Sequence, residues 1–256
     1  MKRILFAVIF SLVGSMLYAS GPELIWAGGG LKVSNESNPC YHADSFVLLS
    51  QLDSMSLFSQ PMLTLKGGEV GFDLGFGGRQ IMLNGLIVGG FNLFLDYTSD
   101  NSHKRLGSGL EVYHERFSGH MNIYLPLTDE KGDEEALPGI DFNVGVPVPN
   151  APFISVWPGF YYYEGRDREN MVGMSMVLQI QPIKPVYVSF GARNDALQAG
   201  RDRSELFLKI VCEIPLQRLG KDLLSFNFGE YPTDVKSQMA HRVMREDFIT
   251  YERKKK

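Results

Sequence analysis

Five side chains in two adjoining stretches have the types that a hydrolytic centre uses: Asp96, Glu111, His114, Ser118 and His120. A serine beside a histidine, with a carboxylate behind it, would supply nucleophile, general base and orienting acid. Such chemistry requires the groups to meet. In extended chain successive side chains point to opposite faces, so Asp96 and Glu111 face one way and His114 the other, and the set does not converge. Metal-ligand spacing, a phosphate-binding glycine loop and a nucleophile elbow are absent, since the glycines of GFGGR and AGGG follow strand periodicity instead of preceding helices. The residues point away from an enzyme and call for no cofactor or metal.

The elements that carry these residues are more informative than the residues themselves. From Gly89, Phe91, Leu93, Leu95 and Tyr97 alternate with Gly90, Asn92, Phe94 and Asp96. This is the period of a half-buried strand. Ser99, Asp100, Asn101 and Ser102 supply turn chemistry, and the chain returns with Leu106, Leu110 and Val112 opposed to Arg105, Gly107, Gly109, Glu111 and Tyr113. A soluble sandwich has little use for Arg, Gly, Gly and Glu alternating beside Asn and Asp of a neighbouring strand. A membrane barrel does, because its apolar face meets lipid while glycines and charges face a narrow polar lumen. Asp96, Arg105 and Glu111 read as a lumen charge network, and plain solvated charges are the alternative.

At 256 residues the chain suits one barrel or sandwich, and its net charge of −4 excludes the basic excess of a nucleic-acid binder. Residues 1–20 read as a secretory signal: Lys2 and Arg3, an apolar run from Ile4 to Leu17, then Ala19, Ser20 and Gly21. That run is shorter than the roughly 20 residues of a membrane helix, and no later run approaches that length, so any membrane crossing must use strands. Cys40 and Cys212 are too few for a disulfide scaffold, and nothing local pairs them.

The mature chain reads as strands at short intervals. Leu24–Ser34 and Ser45–Leu57 flank a loop over Asn35–Asp44, and Val70, Phe72, Leu74 and Phe76 then oppose Gly71, Asp73, Gly75 and Gly77. Phe117 to Leu125 sets an apolar face against Ser118, His120, Asn122 and Tyr124, and an acidic loop follows over Thr128–Ala136. Ile140, Phe142, Val144 and Val146 next oppose Asp141, Asn143 and Gly145. The cluster Trp157, Phe160, Tyr161, Tyr162 and Tyr163 reads as an aromatic girdle at a bilayer interface. Met171–Gln181, Val186–Arg193 and Glu205–Pro215 continue the pattern, and Leu223–Phe228 reads as a last short strand. Short and long connectors alternate, as in barrels of the outer membrane.

Beyond that the period changes. Thr233 or Asp234 can cap a helix of about three turns over Thr233–Glu246, with Val235, Met239 and Val243 on one face and Lys236, Gln238, Arg242 and Arg245 on its wet side. Extended pattern resumes in DFITYER. At about 3.3 Å per residue, Phe248–Lys256 reaches some 30 Å, roughly the hydrocarbon thickness. Phe248, Ile249 and Tyr251 are thereby placed inside the pore, with Asn92, Asn122 and Asn143 available to the tail's backbone.

The order of these pieces resembles the β-domain of inverse autotransporters, the intimin and invasin group of outer-membrane proteins. The residues that carry the resemblance are GGFNLFLDYTSDNSHKRLGSGLEVYHERFSGHMNIYLPL, then PGIDFNVGVPVPNAPFISVWPGFYYYEG, then HRVMREDFITYERKKK. It implies an all-β, antiparallel transmembrane barrel of about 12 strands. It also implies a short C-terminal helix on the periplasmic side and a linker that threads the pore toward a surface-exposed passenger, hence type V secretion and cell adhesion. The implied divisions are residues 1–20 signal peptide, 21–44 an N-terminal segment, 45–232 the barrel, and 233–256 helix and linker. Implied partners are outer-membrane lipid, the barrel-assembly machinery, periplasmic chaperones and a surface passenger or host ligand; nucleic acid is not among them. The passenger is expected to be absent from this chain, which leaves a translocator or anchor reduced to its β-domain. A passive outer-membrane pore and a secreted soluble sandwich are the other classes.

Overall fold

The computed structural model describes residues 21–166, 170–195, 204–216 and 235–253. The signal-like residues 1–20, the strand read over Leu223–Phe228 and the terminal lysines lie outside the described residues.

Twelve strands close into an antiparallel barrel. They are β1 (Glu23–Ser34), β2 (Cys40–Leu52), β3 (Met55–Lys66), β4 (Glu69–Met82), β5 (Ile87–Thr98), β6 (Lys104–His114) and β7 (Phe117–Pro126). A short β8 (Glu134–Ala136) stands apart, and the barrel continues through β9 (Gly139–Val148), β10 (Ala151–Tyr163), β11 (Met171–Ile183), β12 (Val186–Asp195) and β13 (Ser204–Pro215). Each strand pairs with its neighbour in the chain, β9 pairs with β7 across the β8 connection, and β1 pairs with β13 to leave no open edge. Closure matters because unpaired backbone groups in hydrocarbon are costly.

Alternation sorts the side chains. Leu93, Leu95, Leu110 and Ile123 stand exposed on the outer wall with Phe72, Phe76 and Leu125, while Asp73, Asp96, Arg105, Glu111 and Asn122 are buried inside. The register sets inward polar groups side by side: Asp73 opposite Asp96, Asp96 opposite Arg105, Glu111 opposite His120, and Asn122 opposite Asp141. Inward glycines make room for rings, and a Cβ at Gly75 would collide with Phe94.

The two ends differ. At one, the strands are joined by residues 53–54, 83–86, 115–116, 149–150 and 184–185; at the other lie 35–39, 67–68, 99–103, 127–138, 164–166 and 170. The first is the turn end, the second the loop end. Both the start of β1 and the end of β13 fall at the turn end.

The strands near the start differ from the sequence reading. Cys40–Asp44, read as loop, opens β2, and the run read as one strand over Ser45–Leu57 is cut by the turn at 53–54, after which β3 continues to Lys66. The segment set apart as 21–44 is therefore barrel wall. Its three consecutive glycines, Gly28–Gly30, hide the alternation that would have marked it.

Candidate functional site

The chain's own C-terminal segment runs through the lumen. A short 3-10 helix, Val235–Ala240, is followed by irregular chain to Thr250 and by β14 (Tyr251–Arg253), which pairs antiparallel with β8. Because the barrel strands end at the turn end and β8 belongs to a connection at the loop end, this tail runs the length of the barrel.

Lumen side chains take the tail's backbone groups in order along its path. Nearest the turn end, Arg79 donates from Nη1 to the carbonyls of His241 at 2.6 Å, Met239 at 3.1 Å and Gln238 at 3.4 Å, and Trp26 Nε1 donates to Ala240 at 2.8 Å. Further on, Val243 N donates to Gln60 Oε1 at 3.0 Å, Asn122 donates to the Met244 carbonyl at 3.0 Å, and Glu246 N donates to the Tyr124 hydroxyl at 2.9 Å. Arg105 then donates to the carbonyls of Glu246 at 3.1 Å and Phe248 at 3.2 Å, and Leu137 N to Thr250 at 2.9 Å. These partners explain why the expected three-turn helix over 233–246 is reduced here to Val235–Ala240. The lumen offers donors to the carbonyls that an α-helix would use internally, so extended chain is satisfied without i to i−4 bonds. The described helix also lies within the barrel and not on the periplasmic side of it.

Ion pairs fix the tail laterally. Arg245 clasps Asp96, with Nη1 to Oδ1 at 2.7 Å and a second bond from Nη2 to Oδ2, while Arg105 Nε holds the same carboxylate at 2.7 Å. Arg242 reaches Asp44 at 3.3 Å and Asp247 at 3.1 Å. On the opposite wall Arg193 meets Glu246 at 3.0 Å and Lys209 meets Asp247 at 2.5 Å. Arg242 and Arg245, assigned by helical periodicity to a wet face, thus sit among buried carboxylates. Val243 packs with Trp26, Phe46, Phe58 and Phe94, and Met239 with Val88 and Tyr113.

The sequence-selected residues separate into three groups. Asp96, Arg105 and Asn122 touch the tail directly, and Glu111 acts through Arg79, which it holds at 2.8 Å. Asn92 and Asn143 do not serve the tail's backbone: Asn143 donates to Asp141 at 3.2 Å, and Asn92 is buried with its Nδ2 unpaired. Phe248, Ile249 and Tyr251 lie at the loop end, where Lys66 covers the Phe248 ring at 5.1 Å and Tyr251 stacks on His103 at 6.2 Å. The crossing is made by residues 235–250, upstream of the span measured out over Phe248–Lys256.

The aromatic cluster divides by alternation. Trp157, Tyr161 and Tyr163 point inward, where Trp157 stacks on His120 at 5.6 Å and the two tyrosines pack with Tyr124 and Leu137. Phe160 is exposed on the outer wall and Tyr162 shares its face. A single girdle of five rings is corrected to two outward and three inward, since adjacent residues of one strand cannot share a face.

Nor do the hydrolase-type residues assemble. His114 stacks outside on Phe117 at 5.1 Å, Asp96 and Glu111 are each taken up by arginine, and His120 faces the lumen with neither ring nitrogen hydrogen-bonded. At the loop end, buried His103 lies 3.9 Å from Glu134. Burial holds its imidazole below the ordinary histidine value, opposed in part by the charges of Glu134 and Asp100.

The model of a known family, described as the inverse autotransporter β-domain, matches residues 26–247. The chain belongs to this family. A search of the curated proteins finds no match. Among solved structures, one described in "Unveiling the Mechanism Behind the in-meso Crystallization of Membrane Proteins" superposes with a TM-score of 0.77 at 16% identity, over 90% of this chain and 100% of that one. KdgM porin follows with 0.52 at 8% identity, over 73% and 98% of the two chains. An outer membrane channel from Pseudomonas putida F1 gives 0.51 at 10%, over 75% and 96%. At such identities the likeness is one of fold.

This inverse autotransporter β-domain is thus an outer-membrane β-barrel whose outer wall contacts lipid. Sequence reasoning missed Arg79, Gln60, Asp44, Arg193 and Lys209. Arg79 was legible, because it continues the parity of Asp73; the others required knowing where the tail runs.

Proposed function

We propose that this barrel is a translocator and anchor of the inverse autotransporter type, with residues 235–253 as the linker retained in the pore and leading to a surface-exposed passenger. The observation that carries the reading is the path of the tail from the turn end to the loop end. Short turns are periplasmic and longer loops external in outer-membrane barrels, so the tail is aimed outward.

The contacts suit a conduit. Many of the bonds that hold the tail go to backbone carbonyls, which every residue has, and Arg79 and Arg105 supply five of them, as guanidinium groups that can serve successive carbonyls of a passing chain. The side-chain pairs of Arg242, Arg245, Glu246 and Asp247 add preference for one resting register. Residues 1–20 serve this reading as the export signal, and barrel-assembly machinery with periplasmic chaperones as the route to the membrane. Phe160 and Tyr162 are left as the part of the aromatic cluster that can meet lipid.

The test is a single cysteine placed after Lys256 in a Cys40→Ser, Cys212→Ser background. A membrane-impermeant thiol reagent should label it on intact cells. Labelling that requires a permeabilised outer membrane would place the tail inside and remove the export path.

A further inference from the structure

The tail sits eccentrically. Its backbone partners come from β1, β3, β4, β6 and β7, through Trp26, Gln60, Arg79, Arg105, Asn122 and Tyr124. On the far side β12 and β13 reach it through the tips of Arg193 and Lys209. Small inward residues, Gly173 and Ser175 on β11 and Ser189 and Gly191 on β12, stand there between larger ones such as Tyr161, Phe207 and Lys209. Space is left between tail and wall.

That space is a row of three adjoining cavities. The one at the loop end, of about 260 Å³, is lined by Phe248, Ile249 and Tyr251; it shares Lys32, Tyr161, Arg193 and Glu246 with a middle cavity of about 170 Å³. The middle one shares Gln179, Ser189, Lys209 and Asp247 with a third of about 120 Å³, which extends to Gln238 and Glu213 toward the turn end. Each volume far exceeds the 10–15 Å³ or so that one water requires. His120, only 2% exposed, lines the third cavity with both ring nitrogens unpaired, and a buried polar group of that kind calls for water. Three ion pairs flank the row, Lys32 with Glu205 at 3.0 Å, Arg193 with Glu246 and Lys209 with Asp247, and Asp141 and Glu213 add carboxyl groups to its walls.

We propose that the barrel conducts water and small monovalent ions while its own tail is seated, through this polar passage between the tail and the β10–β13 wall. Charges of both signs along the passage give it no strong preference for cations over anions. The lumen then has two lanes, one closed by polypeptide and one open to electrolyte.

Conductance of the full-length protein in planar lipid bilayers in potassium chloride tests this. A steady, low open level is expected. In the Cys40→Ser, Cys212→Ser background, a bulky methanethiosulfonate on Ser175→Cys should lower that level roughly twofold or more, as lining modifications do in narrow pores. The same reagent on Asn92→Cys, buried on the tail's side of the lumen, should leave it unchanged. A sealed full-length protein, an unaffected Ser175→Cys current, or equal block at Asn92→Cys would each overturn the proposal, the last because current would then follow departure of the tail. Thiol labelling at the chain end reads the translocator assignment separately, so either can fail alone.

Discussion

Arg79 and Glu111 form a two-bonded pair inside the barrel, Nε to Oε2 at 2.8 Å and Nη2 to Oε1 at 3.2 Å, with neither side chain exposed. The carboxylate occupies two donor positions and turns the remaining nitrogen, Nη1, onto three carbonyls of the tail. The strand-borne pair therefore creates a tail-binding donor that neither residue would provide alone.

Arg79→Leu should both strand a buried carboxylate and leave those carbonyls unpaired. Removing one member of a buried pair typically costs about 3–5 kcal/mol. The double variant Arg79→Leu, Glu111→Leu should recover part of the barrel's stability without restoring the tail. Heat-modified gel migration reads the first quantity and protease access to residues 235–253 the second; equal stability of single and double variants would contradict the pairing.

Asp96 is shared by Arg105 of the adjacent strand and Arg245 of the tail, and it stands beside Asp73 across the β4–β5 ladder. Two neighbouring carboxylates are tolerable because two guanidinium groups cover them. Arg245→Glu should expel the tail, while Arg245→Lys should keep the charge, lose the fork geometry and weaken seating by about 1–3 kcal/mol. Hydrogen exchange across Val243–Phe248 would separate these outcomes.

The barrel was legible from β4, β5 and β6 because apolar residues there largely alternate with Gly, Asn, Asp, Arg and Glu, with Phe94 and Tyr113 as inward rings among the polar set. It was less legible in β1 and β2, where a glycine run and mixed polarity blur the period. The tail was the hardest part. Arg242, Arg245, Gln238 and Met239 carry a helical spacing that an isolated segment would use, but in the lumen Arg79, Trp26 and Asn122 compete for the same carbonyls. Tertiary partners overrode a local period. In β10, composition misled in a different way: five aromatics within seven residues suggested a belt, and strand geometry divided them.

Lipid and lumen positions should respond oppositely to charge. Leu110→Arg exposes a cation to hydrocarbon at about 2–4 kcal/mol near the midplane, whereas Ser175→Arg extends into the cavity beside the tail. Assembly into the outer membrane should fall for the first and persist for the second. Glu111→Arg, unlike Ser175→Arg, would oppose Arg79 and is expected to fail for that separate reason.

The exit of the tail is expected to be acid-sensitive. His103 lies in the 99–103 connection, buried between Glu134 and Tyr251, with Asp100 and Lys131 as the other charges near it. Burial lowers its pKa below the ordinary value near 6.5. A histidine so lowered stabilises the docked state above that ordinary value; as pH falls through it, the undocked state takes up the proton first and docking weakens. The protection factors of the Leu137 and Tyr251 amides, taken against unstructured-chain rates at each pH, should therefore fall between about pH 7.5 and pH 5, within the range where histidine titrates. His103→Phe, which keeps a ring to stack on Tyr251 but cannot take a proton, should flatten that dependence. A profile unchanged by this substitution would move the titration to another group, and protection that falls on raising the pH would contradict the sign.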